Sequence, residues 1–288
     1  MTAPHPSLPP IGDIPPITAP SFEATSEPER ANDVVRQMTS SASSMPMMAT
    51  APPNLVTLPG GFIDEDGELH TEVRVREING SDEEAMAREL RSPDVNIPKV
   101  VDLLLKRCVQ AVGTIEPVPA KTLAKMLIGD RAYAMLQIRI LTFGSDWEVP
   151  DFPCKFCGET FGTIVELDSI PIRRLDNPMD QTIEVELRDG RVAVMGLLNG
   201  EIQLAMVGDG KRTGPEEVTT AIDGCIRSLG GSPVAGSVAR KLSMADRRKM
   251  IKAMADAQPG PQMEEVGVTC TECGRDGNYT VSLVDLFR

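Results

Sequence analysis

Aromatic side chains are nearly missing. They make up 3% of the 288 residues, with one Trp and two Tyr, which leaves little for stacking bases. Positive charge is short as well: 29 Lys and Arg stand against 42 Asp and Glu, a formal net charge of −13. Such a field repels phosphate, so nucleic acid is not an expected partner. There are two histidines, His5 and His70, and neither stands in a motif with a Ser or Cys nucleophile. His5 falls in a Pro-rich stretch. His70 falls in a strand with a polar face, where a surface side chain is expected. No run approaches the roughly 20 apolar residues of a membrane span. The N-terminal stretch lacks the basic region and apolar run of a secretory signal. The expectation is a soluble protein made in a reducing compartment, with no membrane partner.

A phosphate loop is also missing. Gly208-Asp-Gly-Lys211-Arg-Thr213 is Gly-rich and carries a Lys, but Ala205 stands where the first glycine of that motif belongs, so a solvated loop is expected. The run Asp82-Glu83-Glu84 reads as carboxylates complementing a helix dipole. No catalytic residue, cofactor-binding residue or small-molecule substrate is expected, and the chain does not read as an enzyme.

What is present is cysteine in metal spacing. Cys154-Lys-Phe-Cys157-Gly and Cys270-Thr-Glu-Cys273-Gly are two C-x-x-C-G turns. Val165 and Leu167 follow Cys157 at the offsets at which Val281 and Leu283 follow Cys273, a small internal repeat of one knuckle leading one strand. Four thiolates in two such pairs predict a closed tetrahedral site for a structural Zn2+, ligated by Cys154, Cys157, Cys270 and Cys273. Residues 158–269 separate the pairs, so a subdomain is inserted between the halves of one metal site. Cys108 and Cys225 lie in apolar helical patterns, where buried thiols are expected.

Residues 1–54 hold 11 of the 24 prolines and one aromatic, Phe22. They read as an extended Pro-rich arm without a core, with room for one short helix around Glu27–Met38. Folded sequence is expected over 55–288. Leu58-Pro-Gly-Gly-Phe62 and Asp64-Glu-Asp-Gly67 read as turns and His70–Ile78 as a strand. Ser81-x-x-Glu84 reads as a capping box opening a helix to about Leu90. Helices are expected from Pro98 to Val112, over Pro119–Leu127, and over Arg131–Thr142 after a break at Gly129-Asp130, followed by a strand over about Thr163–Leu167. Ile183–Leu187 and Val192–Met195 read as a hairpin whose Asp189-Gly190 suits a type I′ turn. Leu197–Val207 suits a helix or a continued strand, Glu216–Leu229 and a stretch capped by Ser243 through about Ala255 read as helices, and Tyr279–Leu283 as the last strand. The fold class is α+β: helical segments and small antiparallel sheets, closed by a two-knuckle zinc ribbon. The ribbon would comprise about 150–170 and 266–288, with Val-Asp-Leu-Phe-Arg288 packed on it. A hairpin and helical subdomain, 171–265, would be the insertion.

The order of these pieces resembles a known family. Leu58-Pro-Gly-Gly, Gly80-Ser-Asp-Glu-Glu84 and a helix ending near Cys108 come first. Leu127-Ile-Gly-Asp-Arg131 and Ile138-Arg139-x-x-Thr142-x-Gly144 precede the first knuckle, and the Asp189-Gly190 hairpin, second knuckle and Asp285-Leu-Phe287 follow. From Leu55 to Arg288 this is similar to the T4-type baseplate hub subunit and hub-assembly family of contractile-tailed bacteriophages. The resemblance implies a virion or tail-assembly protein without enzymatic activity, partnered by other tail and baseplate proteins. The 1–54 arm lies outside the resemblance; its composition suits a linker or an arm that docks on a neighbouring subunit. Some members of that family resemble structural baseplate components, and others act as assembly chaperones that leave the finished particle. A cellular zinc-ribbon adaptor of transcription is the reading outside the family. Against it, Glu159, Glu166, Glu272 and Asp276 flank the knuckles where a nucleic-acid ribbon carries a basic face. An enzyme with a site assembled from distant residues is the other.

Overall fold

The computed structural model describes residues 54–92, 96–208, 210, 212–264, 266–283 and 285–287. The Pro-rich arm, apart from Asn54, lies outside them, as does the short helix expected within it. So do Asp209 and Lys211 of the Gly-rich loop. The described chain is α+β, with seven helices and small antiparallel sheets.

In chain order, β1 (Leu55–Ile63) and β2 (Leu69–Val75) form a hairpin, followed by α1 (Gly80–Leu90), α2 (Ile97–Cys108) and β3 (Val109–Val112). Next come α3 (Ala120–Lys125) and α4 (Ile128–Phe143). β4 (Asp146–Pro153) and β5 (Thr160–Glu166) flank the first knuckle, and β6 (Ile172–Arg173) leads away from it. The inserted part holds β7 (Thr182–Glu186), β8 (Val192–Gly196), α5 (Gly200–Val207), α6 (Gly214–Cys225), β9 (Ile226–Leu229), β10 (Ser232–Pro233) and α7 (Met244–Ala257). β11 (Gly260–Pro261) returns, and β12 (Val266–Thr269) and β13 (Asp276–Tyr279) flank the second knuckle.

Three apolar cores organise these elements. The first lies between the β1-β2-β3 sheet and helices α2 and α4, with Val73, Leu104, Leu105, Cys108, Val112 and Ile138 all fully or almost fully buried. The second belongs to the knuckle hairpins and includes Phe152, Phe161, Val165, Val268 and Leu286. The third belongs to the insertion, whose β10-β9-β8-β7 sheet buries Met195, Ile222, Cys225, Met250 and Met254 against its helices. Helix α4 serves two of them: Met135 and Ile138 face the first core, Leu136 the second. A helix apolar on more than one side has to be interior.

Several elements differ from expectation for physical reasons. Leu58–Phe62 is not a turn but part of β1. Pairing with β2 jumps from Thr57↔Glu72 to Phe62↔His70, and the intervening residues bulge toward α4, where Gly60 N–H donates to Asp130 Oδ1 at 2.7 Å. Gly129-Asp130 does not break the chain; both lie in the first turn of α4. The cap of α1 is Asn79 rather than Ser81: its side chain accepts from Ser81 and Asp82 amides, and Asp82 answers to the Asn79 amide. Asp82 is fully buried, and Arg76 and Arg107 donate to it at 2.6 Å each, so the dipole is a minor part of its role. These cations, Arg76 foremost, hold its carboxyl well below the usual range.

Helix α2 ends at Cys108 rather than Val112, and α6 at Cys225 rather than Leu229. In both cases the next four residues become a strand, β3 on β2 and β9 on β8. Short apolar runs suit either period, and a waiting sheet edge decides. In the β7-β8 hairpin, Leu187 and Arg191 close a three-residue loop with Gly190 at φ 81°. No described non-Gly residue has positive φ, so the turn is a type I turn with a glycine bulge, not type I′. The last strand is Asp276–Tyr279. Tyr279–Leu283 mostly leaves the ladder, and a 3₁₀ turn follows at Asp285–Phe287. Leu286 is buried in the second core and its carbonyl accepts from Arg139 Nε at 2.6 Å.

Candidate metal centre

The two knuckles are local copies of one backbone design. Cys154 N–H donates to Glu159 O at 2.9 Å and Gly158 N–H to Cys154 O at 3.0 Å. Cys270 N–H donates to Arg275 O at 3.0 Å and Gly274 N–H to Cys270 O at 2.8 Å. Gly158 and Gly274 stand at φ 80° and 68°, a conformation that only glycine takes without strain. The antiparallel pairs Pro153↔Thr160 and Thr269↔Asp276 close each turn.

The fold brings the four cysteines together. Their sulfurs all lie within 4.8 Å of one another. Cys154 Sγ is 3.8 Å from Cys273 Sγ, and Cys157 Sγ is 3.9 Å from Cys270 Sγ. All four are free thiols, and these separations are far beyond the roughly 2.05 Å of a disulfide. Bonds of about 2.3 Å to a tetrahedral zinc would set sulfurs about 3.8 Å apart. The donor set and its spacing therefore fit such an ion. Cys154 and Cys270 are buried, whereas Cys157 and Cys273 reach the surface.

The sulfurs are electrostatically coupled. Backbone amides, that of Cys157 first and that of Phe156 among them, pull the Cys154 thiol down to about 6. At Cys157 the Glu159 backbone works in the same direction, but desolvation and the neighbouring sulfurs prevail and hold it up at about 12. One thiolate forms readily and then opposes the next. A dication would remove that conflict, which is the usual reason thiolates gather around one.

The tips of the knuckles lock onto each other. Lys155 Nζ donates to Asn278 O at 2.8 Å and lies 5.0 Å over the Tyr279 ring. Arg275 lies 5.7 Å over Phe156. Phe152 meets Phe161 and Tyr279 edge-on at 5.7 and 4.6 Å. Apart from Phe152–Phe161 within one hairpin, these contacts join residues more than a hundred positions apart, and no local period in the sequence marks them.

His70 is not a surface side chain: it is 3% exposed and its Nε2 lies 3.0 Å from Asp64 Oδ2. A cleft of about 570 Å³ opens beside the start of α4, lined by Ile97, Val101, Arg131, Gln203, Gln258 and Leu283 among others. Arg131 is buried there and donates to Leu123 O at 2.6 Å. No described helix is long and apolar enough to cross a membrane.

The residues singled out before the first knuckle prove to be internal ties. Gly129 allows backbone contact: a Cβ there would lie 1.5 Å from Pro259 O. Asp130 holds Gly60 and Arg131 holds Leu123. Arg139 reaches Leu286 O and Gly144 O. Thr142 Oγ1 accepts from the Ile78 amide at 3.1 Å and donates to Ile138 O.

A family model described as T4 bacteriophage base plate protein matches residues 63–288. No curated protein and no solved structure matches the chain.

Proposed function

The chain belongs to the T4 bacteriophage base plate protein family, and from that premise we propose that it is a structural component of a contractile tail baseplate, at or beside the hub. In this reading it works by being contacted. Other tail and baseplate proteins are its partners, with the 1–54 arm as one point of contact, and it takes neither nucleic acid, membrane nor small-molecule substrate. It is assembled in the host cytoplasm, ends in the virion tail and is not an enzyme. The observation that carries the reading is the family match across 63–288. The use of Gly129, Asp130, Arg131 and Arg139 as internal ties supports it.

Cys154, Cys157, Cys270 and Cys273 would hold a structural Zn2+ in this reading, giving a zinc ribbon closed across the insertion. The ion would supply cross-linking that a small two-hairpin core does not, and its binding energy would become folding energy. The chain's own contribution is two knuckles preset by glycine and by backbone hydrogen bonds.

Quantitative mass spectrometry of purified particles tests the function. A stoichiometric copy number in finished tails is the expected result. Presence in assembly intermediates with loss from finished particles would replace a structural role with that of a transient assembly chaperone.

A further inference from the structure

The β1-β2 turn gathers a second set of ligand atoms, away from the cysteines in sequence and of different chemistry. Asp64 Oδ1 accepts from the amides of Asp66 and Glu68 at 2.9 and 2.8 Å. This fixes the carboxylate with Oδ2 toward His70 Nε2, 3.0 Å away. The His70 ring is held from both sides. It stacks on Phe62 with centroids 6.1 Å apart and planes at 23°. Gly113, at φ 54°, backs it so closely that a Cβ there would lie 2.3 Å from Nδ1. A buried imidazole locked in this way presents one nitrogen to the turn and cannot swing aside. Glu68 completes the group: ligand atoms of Asp64, Glu68 and His70 all lie within 4.8 Å of one another.

We propose that Asp64, Glu68 and His70 form a divalent-metal site distinct from the cysteine cluster, open to solvent on the Glu68 side. Two carboxylates balance a dication, and a neutral imidazole adds a third donor. Two oxygens and one nitrogen suit a first-row ion of the Mn2+ type, whereas the four thiolates select softer ions. Glu65, next in sequence to Asp64, is turned to Lys121 and Lys125, at 2.6 and 2.9 Å, and is not one of the three ligands. Three protein ligands leave coordination positions for water or for a carboxylate brought by a neighbour. This site is independent of the baseplate reading and of zinc at the cysteines.

The test is a Mn2+ titration of the full chain, followed by loss of the free ion's electron-paramagnetic signal. Mn2+ is chosen because it competes poorly for thiolates. The expected result is saturable binding of one ion per chain, with selective broadening of the His70 ring resonances, His5 serving as the internal control. Glu68 is exposed, so Glu68→Ala should keep the fold by circular dichroism and weaken binding about tenfold or more. His70→Gln should abolish it; where that variant fails to fold, Glu68→Ala alone carries the test. Absence of saturable binding below millimolar Mn2+ overturns the proposal, and the Asp64–His70 contact is then a plain turn hydrogen bond. Binding that Glu68→Ala leaves unchanged overturns it equally.

Discussion

Asp130 is buried in the first turn of α4 with only one of its two carboxylate oxygens hydrogen-bonded. Oδ1 accepts from Gly60, while Oδ2 has no hydrogen-bond partner among the described residues. Burial outweighs the Gly60 amide and pushes this carboxyl up to about 7. An unfolded Asp titrates near 4, so the folded chain holds the proton more tightly. The contribution to stability is therefore full in acid, declines as pH rises past 4, and is gone above 7. Urea unfolding should show stability falling by on the order of 2 kcal/mol between pH 5 and pH 8 from this group. Asp130→Asn keeps the acceptor for Gly60 and should flatten that slope; an unchanged slope would mean that other groups set it. Asp130, Asp82 and His70 share a lesson about legibility. Each is polar, and polar residues default to the surface. Each has at least one partner far along the chain, Gly60 for Asp130, Arg107 for Asp82 and Gly113 for His70. Nothing local in the sequence marks those pairings.

Among the elements, α4 and the returning strand β11 meet backbone to backbone at Gly129 and Gly260. A Cβ at Gly129 would lie 1.5 Å from Pro259 O, and one at Gly260 would lie 2.6 Å from Gly129 Cα. The obstacle is backbone on both sides, so no side-chain rotation relieves it. Gly129→Ala should lower stability by about 3 kcal/mol or more, as overpacking without room to relax does. Gly80→Ala is the matched control: it opens a helix with nothing within 4 Å of the added Cβ, and should be neutral or stabilising by up to about 1 kcal/mol. Thermal unfolding of both variants decides; equal effects would deny the close approach. The glycine was visible in the sequence, but as a helix breaker, because its partner carbonyl lies 130 positions away. The knuckles were legible for the opposite reason: cysteine spacing and the following glycine fix their geometry within five residues. The ends of α2 and α6 were not, since Val109–Val112 and Ile226–Leu229 obey helix and strand periods alike until β2 and β8 supply an edge.

At the scale of the whole molecule, the insertion leaves and returns at one place. β6 and β11 pair antiparallel, Arg173 with Gly260 and Ile172 with Pro261. The long chain between the knuckle hairpins is therefore tied off at its base, and the question is what keeps the hairpins together. The second hairpin is short, with β12 and β13 four residues each. The β1-β2-β3 layer and the insertion each bury their own apolar side chains. With an ion at the cysteines, removing it should therefore loosen one part and spare the others. Hydrogen exchange on the full chain, before and after a strong chelator, measures this directly. Amides of β4, β5, β12 and β13 should lose protection, while those of β1 to β3 and β7 to β9 keep theirs. Cys273→Ser should reproduce the pattern without chelator. Loss of protection everywhere would mean that the cysteine cluster holds the entire fold. No change, in chelator and in the variant alike, would mean that the clasp of Lys155, Phe156, Arg275 and Tyr279 suffices and that the sulfurs carry no ion.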